Sequence, residues 1–337
     1  MTAITRRTFI SASAASAASL ALLASCSSQG GSGSTSASAA DSTASAPSSA
    51  TLTVGTLATE DILPLWVAQD EGLFEKNGLS VEIVTFQSAT ELIAGVSSGE
   101  VDLAMTDIMV TASIFASGTD VQMEWVTLGT TPAQGRFGIM AGPKSDVQSL
   151  SDLANVPIGV GSNTILEYVM DRLLESAGVS DGQIVVEELQ KLPVRYQAML
   201  EGEVKAAALP GTLLALGEAN GCRLIADDTQ GDNISQSVMI ARSDFVSSDA
   251  NKQQVERLED VWDDAAALVN ANPESYRETL VTNANLPAEI AGTYRISEYP
   301  LCELPTEDMV APVLAWMEGK GYLTRPLTYD PATGTFA

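Results

Sequence analysis

A helix, a tight turn and a buried strand occur twice in this chain, and the repetition limits the fold more than any other feature. Gln87 to Asp107 reads QSATELIAGVSSGEVDLAMTD, and Gln190 to Pro210 reads QKLPVRYQAMLEGEVKAAALP. The offset is 103 residues: Gly99-Glu100-Val101 falls on Gly202-Glu203-Val204, Val96 on Met199, and Ala104 on Ala207. The unit stands near the end of each half of a two-part core. Each copy ends where a strand releases the chain into a loop, at Thr106-Asp107 and at Leu209-Pro210-Gly211. Such strand ends are where open α/β sheets hold ligands.

The elements around the repeat alternate. Short β-rich runs at 51–56, 79–85, 101–105 and 121–128 are separated by helical patterns, including the apolar stretch Ile108 to Ala116. This order predicts a parallel, doubly wound sheet. A further strand at 137–141 closes on Gly142-Pro143, and the pattern restarts with strands at 158–160, 183–189 and 223–226. Ser237 to Ala241 reads as a strand crossing back. The rest reads as helical, with long segments near 251–271 and 306–318. The expected fold class is α/β: a two-lobe clamp, each lobe a doubly wound, mostly parallel sheet. Lobe one takes 51–141 plus 236–337, and lobe two takes 142–235. Two crossings make a hinge, with a ligand cleft between the lobes.

Composition excludes several functions. The chain has 337 residues, 45 % apolar and 18 % charged, enough to bury a core in each lobe. The net charge is −26, and it becomes −28 once residues 1–25 are set aside, since they hold Arg6 and Arg7 and no acid. Such a surface repels nucleic acid. There is no histidine, which removes the commonest general base and metal ligand and every Ser-His or Cys-His nucleophile pair. Cys26, Cys222 and Cys302 are too far apart for a metal knuckle, so no metal and no cofactor is expected. Cys222 and Cys302 read better as small buried apolar residues than as a disulfide.

The first fifty residues read as an address rather than as fold. Thr5-Arg6-Arg7-Thr8-Phe9-Ile10 resembles a twin-arginine export motif, and the alanine- and serine-rich stretch after it is too short and weakly apolar to span a membrane. Leu23-Ala24-Ser25-Cys26 resembles the lipobox of bacterial lipoproteins, which implies cleavage before Cys26 and lipidation of its thiol. Residues 1–25 are then a signal peptide. From Ser27 to Ala50 all residues but Gln29, Asp41 and Pro47 are Ser, Gly, Ala or Thr, a flexible tether of roughly 25–30 Å r.m.s. span. The expected location is the outer face of the cell membrane, held by lipid.

Several ordered motifs carry a family resemblance. They are Leu63-Pro-Leu-Trp-Val-Ala-Gln-Asp-Glu-Gly-Leu-Phe74, Gly78-Leu-Ser-Val-Glu-Ile83, Gly99-Glu-Val-Asp-Leu-Ala104 with Thr106-Asp107, Leu150-Ser-Asp-Leu153 with Ile158-Gly-Val160, Asn272-Pro-Glu274 and Trp316-Met-Glu-Gly-Lys-Gly321. Together they resemble the extracytoplasmic solute-binding proteins of ABC importers, in the group serving sulfonates, nitrate, taurine and thiamine-precursor pyrimidines. The resemblance implies a periplasmic-binding-protein fold of type II, a small-molecule ligand, and an ABC permease with its ATPase as partners. It implies no enzyme activity. A sulfonate or taurine-like anion is the first expectation and a thiamine-related pyrimidine the second. Two other readings stay open: a histidine-independent enzyme on the same fold, with Glu60 and Asp107 as acid and base, and a sensing lobe for a signalling partner.

Candidate ligand contacts lie on the loops at the strand ends. In lobe one they are Asp61, Gln87, Ser88, Thr106, Asp107 and Thr131; in lobe two, Ser162, Asn163, Thr164 and Pro210. Ser88 to Glu91 and Thr164 to Glu167 have capping-box spacing, and a helix N-terminus offers free N–H donors to an anion. Ser88 and Ser162 could equally be plain caps. Asp107 could accept from a ligand amine or cap the next helix. Arg136 could clamp a sulfonate in bidentate fashion or hold a surface ion pair. Arg195 reads more as a tie between its helix and a neighbour. Trp66 and Trp125 read as core.

Overall fold

The computed structural model describes residues 50–284 and 286–337. Arg6, Arg7, the lipobox with Cys26 and the tether up to residue 49 lie outside the described residues. The chain begins with β1 (Leu52–Leu57), a 3-10 turn (Glu60–Ile62), α1 (Leu63–Asp70), α2 (Leu73–Lys76), β2 (Val81–Phe86), α3 (Ala89–Ser98), β3 (Leu103–Asp107), α4 (Ile108–Ala116) and β4 (Val121–Leu128). It crosses to β5 (Phe137–Ala141), β6 (Pro157–Val160), α5 (Ile165–Ser176), β7 (Val185–Glu188), α6 (Leu192–Glu201), β8 (Ala206–Pro210), α7 (Gly211–Ala219) and β9 (Arg223–Asp227). It returns through β10 (Ser237–Arg242), α8 (Ser243–Val246), α9 (Asp249–Ala271), α10 (Arg277–Asn283), α11 (Ala288–Ala291), α12 (Glu307–Lys320), β11 (Tyr329–Asp330) and β12 (Thr335–Phe336).

These strands form two sheets, of order β11-β12-β4-β10-β3-β1-β2 and β7-β6-β8-β5-β9. We call the layers built on them lobe one and lobe two. The fold is α/β. Each sheet has a parallel run of three strands ending at one edge, β3-β1-β2 in one and β8-β6-β7 in the other. Each also receives one antiparallel strand at a crossing. β10 lies between β3 and β4, and β5 lies between β8 and β9. Phe137–Ala141 thus pairs within the second sheet, so the first crossing falls before Phe137 and not at 142. The C-terminal stretch is not wholly helical either: β11 and β12 make a short hairpin that adds to β4.

The repeat has a common physical basis. α3 and α6 both end on a glycine in the left-handed region, Gly99 at φ 77 and Gly202 at φ 83. Behind each, the following glutamate amide reaches back to the last turn, Glu100 N to Gly95 O at 2.9 Å and Glu203 N to Ala198 O at 2.8 Å. This is the Schellman closure, which suits glycine because it has no Cβ to clash. It aims the chain into β3 and β8, strands buried along their whole length.

One apolar core runs through both lobes, from Leu92 and Ile108 through Ile139, Ile158 and Val169 to Val313 and Trp316. Another lies under β1, α1 and α9, where Trp66, Trp125 and Trp262 are all buried. Cys222 and Cys302 are free thiols. Among the described residues, no helix is long and apolar enough to cross a membrane.

Candidate functional site

A cleft of about 60 Å³ lies between the lobes, at the C-terminal ends of β1, β3 and β8. Lobe one lines it with Thr59, Asp61, Ser88, Thr106, Asp107 and Ser237, among others. Lobe two contributes Phe137, Thr164, Ile165, Gln190, Leu192, Arg195 and Pro210. The copies of the repeat meet here in register. Ala89 of α3 and its counterpart Leu192 of α6 both line the cleft, as do Asp107 and its counterpart Pro210.

Six of the residues singled out in the sequence come together along this cleft: Asp61, Ser88, Thr106, Asp107, Thr164 and Pro210. Asp61 is 3 % exposed and accepts from the Ser237 hydroxyl. Ser88 caps α3, accepting from Glu91 N at 3.2 Å. The first-turn amides of α3 beyond it have no intrahelical acceptor. Thr164 stands at the head of α5 without acting as the cap; its hydroxyl donates to Gly161 O at 2.7 Å. Glu167 reaches back past it to the Asn163 amide at 2.6 Å, so the expected capping box closes one residue early.

Asp107 does more than either expectation for it. Its Oδ1 accepts from Val110 N at 2.7 Å, which caps its own helix α4. Its Oδ2 accepts from Ile165 N at 3.1 Å, which caps α5 of the opposite lobe. Burial pushes its pKa up to about 6, with the Val110 and Ile165 amides acting against that rise and Asp61 adding to it.

The other five lie outside the cleft, each for a visible reason. Gln87 is exposed, and its amide donates to Glu91 Oε2 at 3.1 Å. Thr131 is exposed in the loop after β4, where its carbonyl accepts from Gln134 N. Arg136 faces a separate groove and is spent on acids of lobe two, Asp227 at 2.7 Å and Glu218 at 3.3 Å. Ser162 is held by Glu188 through both its amide and its hydroxyl. Asn163 takes a left-handed φ of 58, which turns its Nδ2 to Ser113 Oγ across the lobes. A strand-end position alone did not reveal these competing partners.

Arg195 is the residue the sequence undervalued. It is 2 % exposed. It does tie its helix: Nε donates to Leu189 O at 2.8 Å, Nη1 to Ala208 O at 3.0 Å and Nη2 to Gln190 O at 3.2 Å. All three acceptors are carbonyls. A guanidinium has five N–H donors, so two remain, and Arg195 lines the cleft. Burial pulls its pKa down to about 10, with Glu188 opposing. It packs so tightly on the β6–α5 loop that a Cβ on Gly161 would stand 2.8 Å from its Nη2. Lobe two therefore joins a buried cation to the N-terminus of α5, a ready anion seat. The repeat held the clue, because Arg195 occupies the place of buried Leu92 in the first copy.

A family model described as NMT1/THI5 like matches residues 59–276, which is 218 of the 337. The chain belongs to the NMT1/THI5-like family. Solved structures agree with this family on the fold. The alkanesulfonate-binding protein SsuA of Xanthomonas axonopodis pv. citri, bound to MOPS, superposes with a TM-score of 0.70 at 19 % identity, over 83 % of this chain and 96 % of that one. The periplasmic aliphatic sulphonate binding protein SsuA of Escherichia coli gives 0.68 at 18 %, over 83 % and 90 %. The desulfurization enzyme DSZB gives 0.62 at 15 %, over 82 % and 94 %. This NMT1/THI5-like chain thus has the periplasmic-binding-protein fold, and that fold carries both binding proteins and an enzyme. No curated protein sequence matches it.

Proposed function

We propose that this chain is a lipid-anchored receptor that captures a small sulfonate between its lobes and delivers it to an ABC permease. The observation that carries the ligand class is Arg195, a buried guanidinium bonded only to carbonyls at the wall of the interlobe cleft. Arg136, the arginine first expected to clamp the anion, is already neutralised by Glu218 and Asp227 and takes no part. The SsuA structures, whose names state sulfonate binding on this fold, support the class. Asp61 lines the lobe-one side of the same cleft, so a zwitterion with an ammonium at one end and a sulfonate at the other matches the charges on both walls. A taurine-like amino-sulfonate fits that description. Ligand contacts to both lobes would favour the closed clamp.

Thermal denaturation with taurine, simple alkanesulfonates and a thiamine-related pyrimidine tests this. Any compound that binds only the folded form raises Tm by mass action, about 2.7 kcal/mol of stabilisation at a hundredfold excess over Kd. The sulfonates should do so, and Arg195→Met should abolish the shift. A pyrimidine that binds the wild type and Arg195→Met alike overturns the sulfonate reading. Turnover of any bound compound would instead favour the enzyme reading. For the anchor, the support is Leu23-Ala24-Ser25-Cys26 followed by the Ser/Gly/Ala tether. Metabolic labelling with a fatty acid should mark the wild type and not Cys26→Ser.

A further inference from the structure

Lobe two presents an anion seat, and lobe one already offers it an anion. The seat is the head of α5, a twelve-residue helix, with Arg195 against the same loop. The anion is the Asp107 carboxylate, 6 % exposed, whose Oδ2 takes the Ile165 amide at 3.1 Å. We propose that Asp107 is an internal surrogate ligand: its carboxylate competes with the solute's anionic group for the α5 N-terminus, and anion binding is coupled to uptake of a proton by Asp107. This rests on the anionic-ligand reading above and adds to it a residue that sets affinity and its pH dependence.

The geometry makes the competition unavoidable. One amide hydrogen serves one strong acceptor, and the cleft is only about 60 Å³. A sulfonate seated at Arg195 and the α5 N-terminus would lie beside the buried Asp107, where like charges repel strongly. The charged groups that face Asp107 are few. Asp61 of the 3-10 turn is the other acid, and Arg195 of α6 is the cation. β10 brings Ser237, which is bonded to Asp61. The first turn of α4 carries no acid or base. Glu167 in the first turn of α5 is turned away, toward the Asn163 amide and the Tyr322 hydroxyl. Arg195 is one cation set against Asp61, Asp107 and the incoming anion, so the seated ligand favours loss of one negative charge.

Protonating Asp107 removes it at low cost. Burial already places its titration near pH 6, and Oδ1 can keep accepting from Val110 N while the protonated Oδ2 donates to the incoming oxygen. If the seat takes the ligand with Asp107 protonated, affinity falls about tenfold per pH unit above roughly 6 and levels off below it.

Titration calorimetry of the full chain with taurine and with methanesulfonate, in two buffers of different ionisation enthalpy, reads the coupling directly. At pH 7 the wild type should take up close to one proton per anion bound, and its Kd should rise roughly 50-fold from pH 6 to pH 8. Asp107→Asn keeps an acceptor for the Val110 amide. It should bind with no proton uptake, nearly flat against pH, and about a hundredfold tighter than the wild type at pH 8. Binding by the wild type without proton uptake overturns the proposal, and that measurement does not depend on the variant folding. So does weaker anion binding by Asp107→Asn across the whole range. If neither protein binds either sulfonate and the pyrimidine binds independently of Arg195, the anion reading itself has failed and the surrogate role falls with it.

Discussion

Replacing Lys320 by methionine isolates the polar network that fastens α12 to α5. Asp171 of α5 is 1 % exposed, and its Oδ2 accepts from Trp316 Nε1 at 2.9 Å and from Lys320 Nζ at 2.9 Å. Lys320 Nζ also stands 3.3 Å from Asp181 and 4.0 Å from buried Glu167. Burial alone would lower the lysine pKa; Asp171, Glu167 and Asp181 outweigh it and hold the pKa at about 12, against 10.5 ordinarily. A lysine with a raised folded pKa contributes stability that is fully present below pH 10.5 and lost as pH rises through about 12. The shift is worth about 2 kcal/mol. Methionine also leaves Asp171 buried without a cation, and breaking a buried pair costs about 3–5 kcal/mol when fully desolvated. The Lys320 side chain is 21 % exposed, so water recovers part of that. The expected loss at pH 7 is about 2–4 kcal/mol, or roughly 4–8 °C in Tm. Urea unfolding of Lys320→Met, Asp171→Asn and the pair completes a cycle with a coupling energy of about 2 kcal/mol. A loss below about 0.5 kcal/mol, or strict additivity, would refute the reasoning.

Three more outcomes follow from the same structure. Glu60 is buried against the Tyr294 hydroxyl, and burial raises its pKa to about 8 from 4.5, so folding requires it to hold a proton at neutral pH. Its contribution is best below pH 4.5 and falls by about 1.4 kcal/mol per pH unit up to about 8; Glu60→Gln should flatten that part of the stability–pH curve and stabilise the protein at pH 7. Gly211→Ala would place a Cβ 2.7 Å from Tyr294 Oη and 2.9 Å from Glu60 Oε1, and should cost about 1–3 kcal/mol by urea unfolding. Gly202→Ala strains a φ of 83 in the α6 turn and should cost about 1 kcal/mol, with ligand affinity unchanged.

Much of the fold was legible because local chemistry and tertiary structure agree. The apolar run Ile108 to Ala116 is α4, and Val121 to Leu128 is β4, residue for residue. The glycine after each repeated helix announced its turn. What escaped was set by distant pairing. Phe137–Ala141 reads as a strand, but nothing in those five residues says which sheet it joins; its antiparallel partners β8 and β9 follow some seventy to ninety residues later in the chain. The strands β11 and β12 are two residues each, too short for any period to show.

The site was half legible for a related reason. Strand-end loops placed Asp61, Ser88, Thr106, Asp107, Thr164 and Pro210 at the cleft, because topology fixes where a strand end points. Whether a polar side chain there is free depends on what else can reach it. Arg136 and Ser162 have acids within reach, Asp227 and Glu188, which lie 91 and 26 residues further along the chain. Arg195 is the inverse case. Its hydrogen-bond acceptors are carbonyls, which satisfy three of its N–H groups, and Glu188 acts on it through charge alone. Comparison of the two copies exposes it without coordinates: a repeat keeps its core positions apolar unless something else is required of them. In the first copy that position holds Leu92, 1 % exposed, and in the second it holds a cation that is 2 % exposed. Burying that cation without a carboxylate hydrogen-bonded to it is unfavourable. The second copy departs from the first where the chain gains a seat for an anion, and Asp107 at the end of the first copy is the anion that reaches it.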